Sequence, residues 1–177
     1  DLDRVPAKAR AEKVYFTLVT PRKEISARKD GKPAPVVILG HGHGGNRFTA
    51  LNFGPYFARH GIAVLAIDNP GHGISIAPED KEQAKTILGG FGIGPFIDAV
   101  FKDRALDMNF DGLTDSGGDF WTFYLFHTRD NVRQAALDYM QLIRILRGFD
   151  GKHRWNIDVN GDGKNDLAGD FDGDGEV

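Results

Sequence analysis

Asp158, Asn160 and Asp162 alternate along the chain, Gly163 follows them, and Asp166 comes three residues later. Counted from Asp158, these are positions 1, 3, 5, 6 and 9 of a loop, with Lys164 at position 7. A hard cation such as Ca²⁺ takes six to eight oxygen ligands, and alternate side chains on a tight loop converge on one point. Gly163 permits the sharp turn, and Lys164 would offer its backbone carbonyl. The spacing recurs at Asp107, Asn109, Asp111, Gly112 and Asp115, with Leu113 as carbonyl donor. It begins a third time at Asp170, Asp172, Asp174 and Gly175, with Glu176 in the carbonyl position. Asp, Asn and Gly are also ordinary turn residues, so one copy could be a solvated acidic turn. Three copies at matched spacing point to a bound cation. Gly118 and Gly169 stand where an EF-hand carries its bidentate Glu.

VVILGHGHGG at 36–45 is the second stretch with chemical potential, and two functions compete for it. Gly40, Gly42 and Gly45 spell G-x-G-x-x-G, and Asp68 ends the next apolar run, as in a dinucleotide site. Asp68 lies further along than the roughly 20 residues such a site expects. The rival is an oxyanion hole. His43 and Gly44 would contribute backbone N–H groups, Gly42 and Gly45 would let the loop turn, and His41 would brace it from behind.

These loops need elements to hold them. KVYFTLVT at 13–20 is β-branched and aromatic and predicts a strand. PVVILG at 35–40 and IAVLAI at 62–67 are unalternated apolar runs, the signature of parallel strands buried on both faces. Residues 49–60 between them carry Leu51, Phe53 and Phe57 at helical spacing, and Gly61 stops the helix. The result is a β-α-β unit with a parallel pair and a right-handed crossover. Short helices are expected near 79–88 and 95–106. A longer one is expected at 129–147, with Val132, Ala135, Ala136, Tyr139, Leu142, Ile143 and Leu146 on one stripe, Thr128 as cap and Gly148 as stop.

PVVILGHGHGG, then a helix, then AVLAIDNPGHGIS, then RDNVRQAALDYMQLIRIL resembles the first half of the α/β-hydrolase family, in its secreted bacterial lipase or esterase form. The resemblance spans about 13–148. It implies an α/β fold with a mostly parallel sheet, helices on both faces and acidic calcium-loop insertions. Within it, 13–73 and 128–148 would form the core, 74–127 an insertion or cap, and 150–177 a calcium-loop tail. The family's nucleophile sits on a G-x-S-x-G elbow directly after a strand. Of the three serines, Ser26 lies in a polar turn and Ser116 beside an acidic loop, while Ser75 in GISIA stands too far past its strand. The resemblance therefore implies the N-terminal part of a longer ester hydrolase. The nucleophile would lie beyond residue 177, and a remainder, in the same polypeptide or a second chain, would cover the edge of VVIL. The acidic loops resemble those of FG-GAP repeats and thrombospondin-type modules, which implies calcium as cofactor and an extracellular, periplasmic or cell-surface location.

Net charge is -3, which does not favour a nucleic-acid partner. No apolar run nears the roughly 18 residues of a transmembrane helix, and the charged opening DLDRVPAKAR is not a signal peptide. The absence of cysteine leaves the redox compartment unread. The expected substrate is a small-molecule or lipid ester. A peptidase using the same machinery, a non-catalytic calcium-dependent adhesion module and a nucleotide-binding oxidoreductase are the alternatives. Aromatic residues from Phe91 to Phe126 either pack a core or line an acyl pocket. His72 is expected to brace the loops, His60 to sit at a helix C-terminus, and His127 and His153 have no evident partners.

Overall fold

A computed structural model describes residues 11–30, 32–102, 104–158, 161–171, 175 and 177. Three strands are present: β1 (Phe16–Val19), β2 (Val36–Ile38) and β3 (Ala63–Ile67). They form one sheet in the order β1-β3-β2. Val36 to Ile38 run parallel to Ala63 to Leu65, so the two apolar runs pair as their composition predicts. β3 lies at the centre and every residue of it is buried.

The expected mostly parallel sheet of a half α/β-hydrolase is not what forms. β1 runs antiparallel to β3, with Phe16 opposite Ile67 and Val19 opposite Val64, and it contributes the longer pairing of the two. The sheet is small and mixed. The reason is physical: a short β-branched strand that lands on an edge can pair in either direction, and its composition does not encode which. Helices do not cover both faces either. Among the described residues α1 (Ala50–Arg59) is the only α-helix whose backbone approaches the strands, lying on β1 and β3. α2 (Pro78–Gly89) and α3 (Gly94–Phe101) pack on each other, and α4 (Leu125–Leu146) brings its backbone close to no other helix or strand among the described residues.

α1 buries Ala50 and Gly54 and leaves Leu51 and Phe53 about half exposed, the reverse of what side-chain size suggests. The cause is close approach to β1. A Cβ added to Gly54 would stand 2.7 Å from Val19 Cγ2, so the helix reaches the sheet where it has no side chain. Ala50, Val64 and Ala66 form the core, with Val19, Val37, Leu39 and Phe57 packed around it.

α4 begins one turn earlier than the predicted cap. Thr128 does not cap it; its hydroxyl donates to Thr122 O at 3.0 Å and accepts the Thr122 N–H at 2.9 Å. The predicted apolar stripe is half-buried along Ala135, Tyr139, Leu142 and Leu146 and exposed along Val132, Ala136 and Ile143. No helix among the described residues is long and apolar enough to cross a membrane.

Candidate functional site

β2 and β3 run parallel, so the loops that follow them emerge side by side, HGHGG from β2 and DNPGHG from β3. The first loop closes as a tight turn, with the Gly45 N–H donating to Gly42 O at 3.0 Å. Gly44 takes a φ of 72°, a left-handed conformation that suits glycine. Gly42, His43 and Gly44 are exposed and Gly45 half-buried. Among the described residues nothing accepts from the backbone N–H of His43 or Gly44.

His41 braces this turn through both ring nitrogens. Its Nε2 accepts the Asn69 N–H at 3.0 Å and its Nδ1 donates to Gly42 O at 2.9 Å. A backbone N–H can only donate and a carbonyl only accept, so the ring is held as the neutral Nδ1–H tautomer. His72 is 2% exposed and donates from Nδ1 to Pro70 O at 2.9 Å. Its Nε2 is buried and has no hydrogen-bond partner among the described residues. Burial lowers its pKa, the Pro70 bond opposes that, and the nearby His41 and His43 lower it further. The His41 and His72 rings stand 4.8 Å apart, His43 and His72 5.8 Å, and Phe120 packs against His72 at 4.9 Å.

The segment after α3 laces onto the second loop. Arg104 N–H donates to His72 O at 3.1 Å, Thr114 Oγ1 to Ile74 O at 3.2 Å and Gly117 N–H to Gly71 O at 2.8 Å. Ser116 Oγ accepts the Gly73 N–H and donates to Gly45 O, both at 3.1 Å, and so ties the two loops together. His127 has a partner the sequence did not reveal: its Nε2 lies 2.8 Å from Asp119 Oδ1, and Asn131 Nδ2 donates to Asp119 O at 2.8 Å. His153 likewise pairs with Asp150 at 2.8 Å. The backbone N–H groups of His153 and Lys152 bring the Asp150 carboxyl down to about 2. His60 stands at the C-terminus of α1, as expected.

Asp68 is not available to a ribose. It is 1% exposed, and its Oδ1 accepts the Arg47 N–H at 2.6 Å while its Oδ2 pairs with Arg47 Nη1. Arg47, also 1% exposed, donates from Nη2 to the carbonyls of Ala99 and Val100 at 2.6 and 2.9 Å. This geometry weighs against the dinucleotide alternative, which needs that carboxylate open.

No family model matches the chain, and no curated protein or solved structure matches it. The residues alone must therefore carry the functional argument.

The acidic loops share one internal template. Asp107 Oδ1 accepts the Phe110 N–H at 2.7 Å and Oδ2 the Gly112 N–H at 2.9 Å. Asp158 does the same with Gly161 at 2.6 Å and Gly163 at 2.8 Å. Asp170 accepts from Gly175 at 3.0 Å. Asp111 accepts from the Leu113 N–H and Asp162 from Lys164, both at 2.8 Å. Asn109 accepts the Asp111 N–H at 2.9 Å, and Asp115 accepts the Met108 N–H at 2.9 Å. Each complete loop closes across its base, Asp115 N–H to Leu106 O at 2.8 Å and Asp166 N–H to Ile157 O at 3.0 Å. Gly112, Gly163 and Gly175 have φ values of 90°, 82° and 83°. Asp166 and Asp170 are buried. Asn160, Asp172, Asp174 and Glu176 lie outside the described residues. Among the described residues no group of three or more His, Asp or Glu side chains closes on a point where a metal would sit. The all-oxygen donor chemistry nonetheless suits a hard cation, and within the described residues the Leu113 and Lys164 carbonyls accept no hydrogen bond.

Proposed function

We propose that this chain forms the oxyanion-binding part of a carboxylic-ester hydrolase, stiffened by calcium in its acidic loops. One observation carries the hydrolase reading. At the end of β2, a glycine turn carries the adjacent N–H groups of His43 and Gly44, both exposed residues, with no acceptor among the described residues. Two preorganised donors of this kind stabilise the negative oxygen that develops when an ester carbonyl is attacked. His41 holds the turn as a neutral brace, so it would position the loop and leave proton transfer to other groups.

The nucleophile is proposed to come from outside these residues. Ser26 is buried and accepts the Arg28 N–H, and Ser116 is committed to Gly45 and Gly73. Ser75 is exposed in a loop well past β3. A small-molecule or lipid ester is the proposed substrate, and a location outside the cytoplasm follows from the calcium requirement. Calcium would be held by Asp107, Asn109, Asp111, Asp115 and the Leu113 carbonyl. The second loop would use Asp158, Asn160, Asp162, Asp166 and the Lys164 carbonyl, with Asp170 opening a third. The bound ion would neutralise carboxylates that otherwise repel, and so order the loops.

The 177-residue chain should not turn over a short-chain nitrophenyl ester. In the assembled hydrolase, Gly44→Val should cost about 10²-fold in kcat, the scale of a lost oxyanion donor, and His43→Ala far less. The reverse order would assign His43 through its ring and remove the oxyanion role. Turnover by the chain alone, abolished in Ser75→Ala, would place the nucleophile inside it.

A further inference from the structure

We propose that Ser116 is a positioning residue, the joint through which the acidic hairpin 106–115 fixes the HGHGG turn, and that calcium in the 107–115 loop is relayed through it to the N–H donors. The relay rests on the hydrolase and calcium reading above; the joint itself rests on geometry.

Both ends of that hairpin are pinned at the site. Leu106 and Asp115 pair across its base, Arg104 bonds His72 just before it, and Ser116 and Gly117 follow directly after. Ser116 Oγ is a single atom shared by the two loops, accepting from Gly73 and donating to Gly45 O. Gly45 in turn closes the turn onto Gly42 O, so the carbonyl that Ser116 holds belongs to the residue that sets the turn. Gly117 comes so near the turn that a Cβ there would stand 2.8 Å from His43 Cε1 and 2.9 Å from Gly44 N. A shift of the strap by a fraction of an ångström would therefore reach the Gly44 donor directly and the ring of His43 beside it. Among the bonds described for the second acidic loop none reaches the HGHGG turn. Leu167 takes the place that Ser116 holds after the first, and it pairs with Arg154. Among the described residues the chain thus contains its own control, one loop joined to the site and one with no such bond.

The experiment is amide exchange by NMR on the full chain, reading Gly45 and Gly73, with calorimetric calcium titration of the same samples. Without calcium, Ser116→Ala should exchange about fivefold faster at both amides, the scale of one lost hydrogen bond, and Ser116→Thr should restore the wild-type rate. Saturating calcium should slow both amides in the wild type and in Asp158→Ala, and leave them unchanged in Ser116→Ala. If Ser116→Ala does not fold, Ser116→Cys, close in size but a weak donor, is read the same way. Equal slowing in Ser116→Ala overturns the relay, and so does absence of slowing in a wild type that gives calcium heat. Absence of calcium heat sinks the calcium reading instead, and the metal-free comparison then decides the joint. An unchanged Gly45 rate in Ser116→Ala overturns the joint.

Discussion

Replacing Asp68 with Asn should remove much of the chain's stability, although it changes only one functional group. Asp68 and Arg47 are each 1% exposed, so neither charge is hydrated. The carboxylate answers both the guanidinium and the Arg47 backbone N–H. An Asn amide can keep the acceptor for that N–H, but it brings neutral dipoles to a buried cation. The carbonyls of Ala99 and Val100 remain, and they are neutral too. Breaking a buried pair from one side costs about 3–5 kcal/mol. A domain holds about 5–15 kcal/mol in all, so the loss is about a fifth or more. At a urea slope of about 2 kcal/mol/M the midpoint should fall by about 2 M. Equilibrium urea unfolding read by the fluorescence of the two tryptophans measures it. Arg47→Met alone should be comparably damaging, and the double variant should lose clearly less than the sum of the singles. The shift should persist in 1 M salt, because buried pairs are poorly screened. A loss for Asp68→Asn below about 1 kcal/mol, the range of exposed pairs, would show that water reaches the pair and refute the argument.

Three further outcomes follow. His72 has its pKa lowered in the fold by burial, so the unfolded chain takes up the proton more readily. Its contribution is then fully present above the unfolded value near 6.5 and is lost as pH falls below it; urea midpoints from pH 8 to 5 should fall in the wild type and less steeply in His72→Phe, and equal slopes would remove His72 as the cause. Gly54→Ala should destabilise by about 1–3 kcal/mol despite the better helix propensity of Ala, since the new methyl meets Val19 at 2.7 Å; a raised melting temperature would show that the contact relaxes freely. Calcium titration should give two sites, one lost in Asp107→Ala and the other in Asp158→Ala. At millimolar calcium and dissociation constants of about 10⁻⁴–10⁻³ M, each adds about 0.4–1.4 kcal/mol, seen as a raised melting temperature. No heat and no thermal shift would return the loops to plain acidic turns.

The parts legible in the sequence are those whose information is local. The parallel pairing of Val36–Ile38 with Ala63–Leu65 and the burial of Ala63–Ile67 are carried by composition, whereas β2, expected to be buried on both faces, leaves Val36 exposed and Val37 and Ile38 half-buried because it lies at the sheet edge. The strand at Phe16–Val19 was legible as a strand but not in direction, because edge pairing depends on the connection and not on the residues. α1 was legible as a helix, yet its buried side was not: Gly54 lies against β1 because it is small, whereas pattern reasoning assigns the core to large residues such as Leu51 and Phe53. The Arg47–Asp68 pair was hidden by distance along the chain, although a hint existed. An Arg just past the first glycine loop and an Asp at the end of the next strand meet at the same end of a parallel pair. His127 and Asp119 were hidden likewise, across the start of α4.

The shared bonding of the acidic loops has a consequence for how such a chain can be remodelled. Most of the polar bonds described for each complete loop are satisfied between its own residues, and its two ends emerge as one cross-chain pair, Leu106 with Asp115 and Ile157 with Asp166. Such a nine-residue unit is a portable cassette. Apart from the Thr114–Ile74 bond of the first copy, the bonding described for it asks of its host mainly two chain ends held at the separation of neighbouring strands. A copy without the Ser116 joint can be duplicated, deleted or grafted into an unrelated hairpin with little disturbance on either side. Phe110, at φ 64° where the second cassette has Gly161 at 77°, marks the one described position at which the two copies have drifted at a left-handed turn.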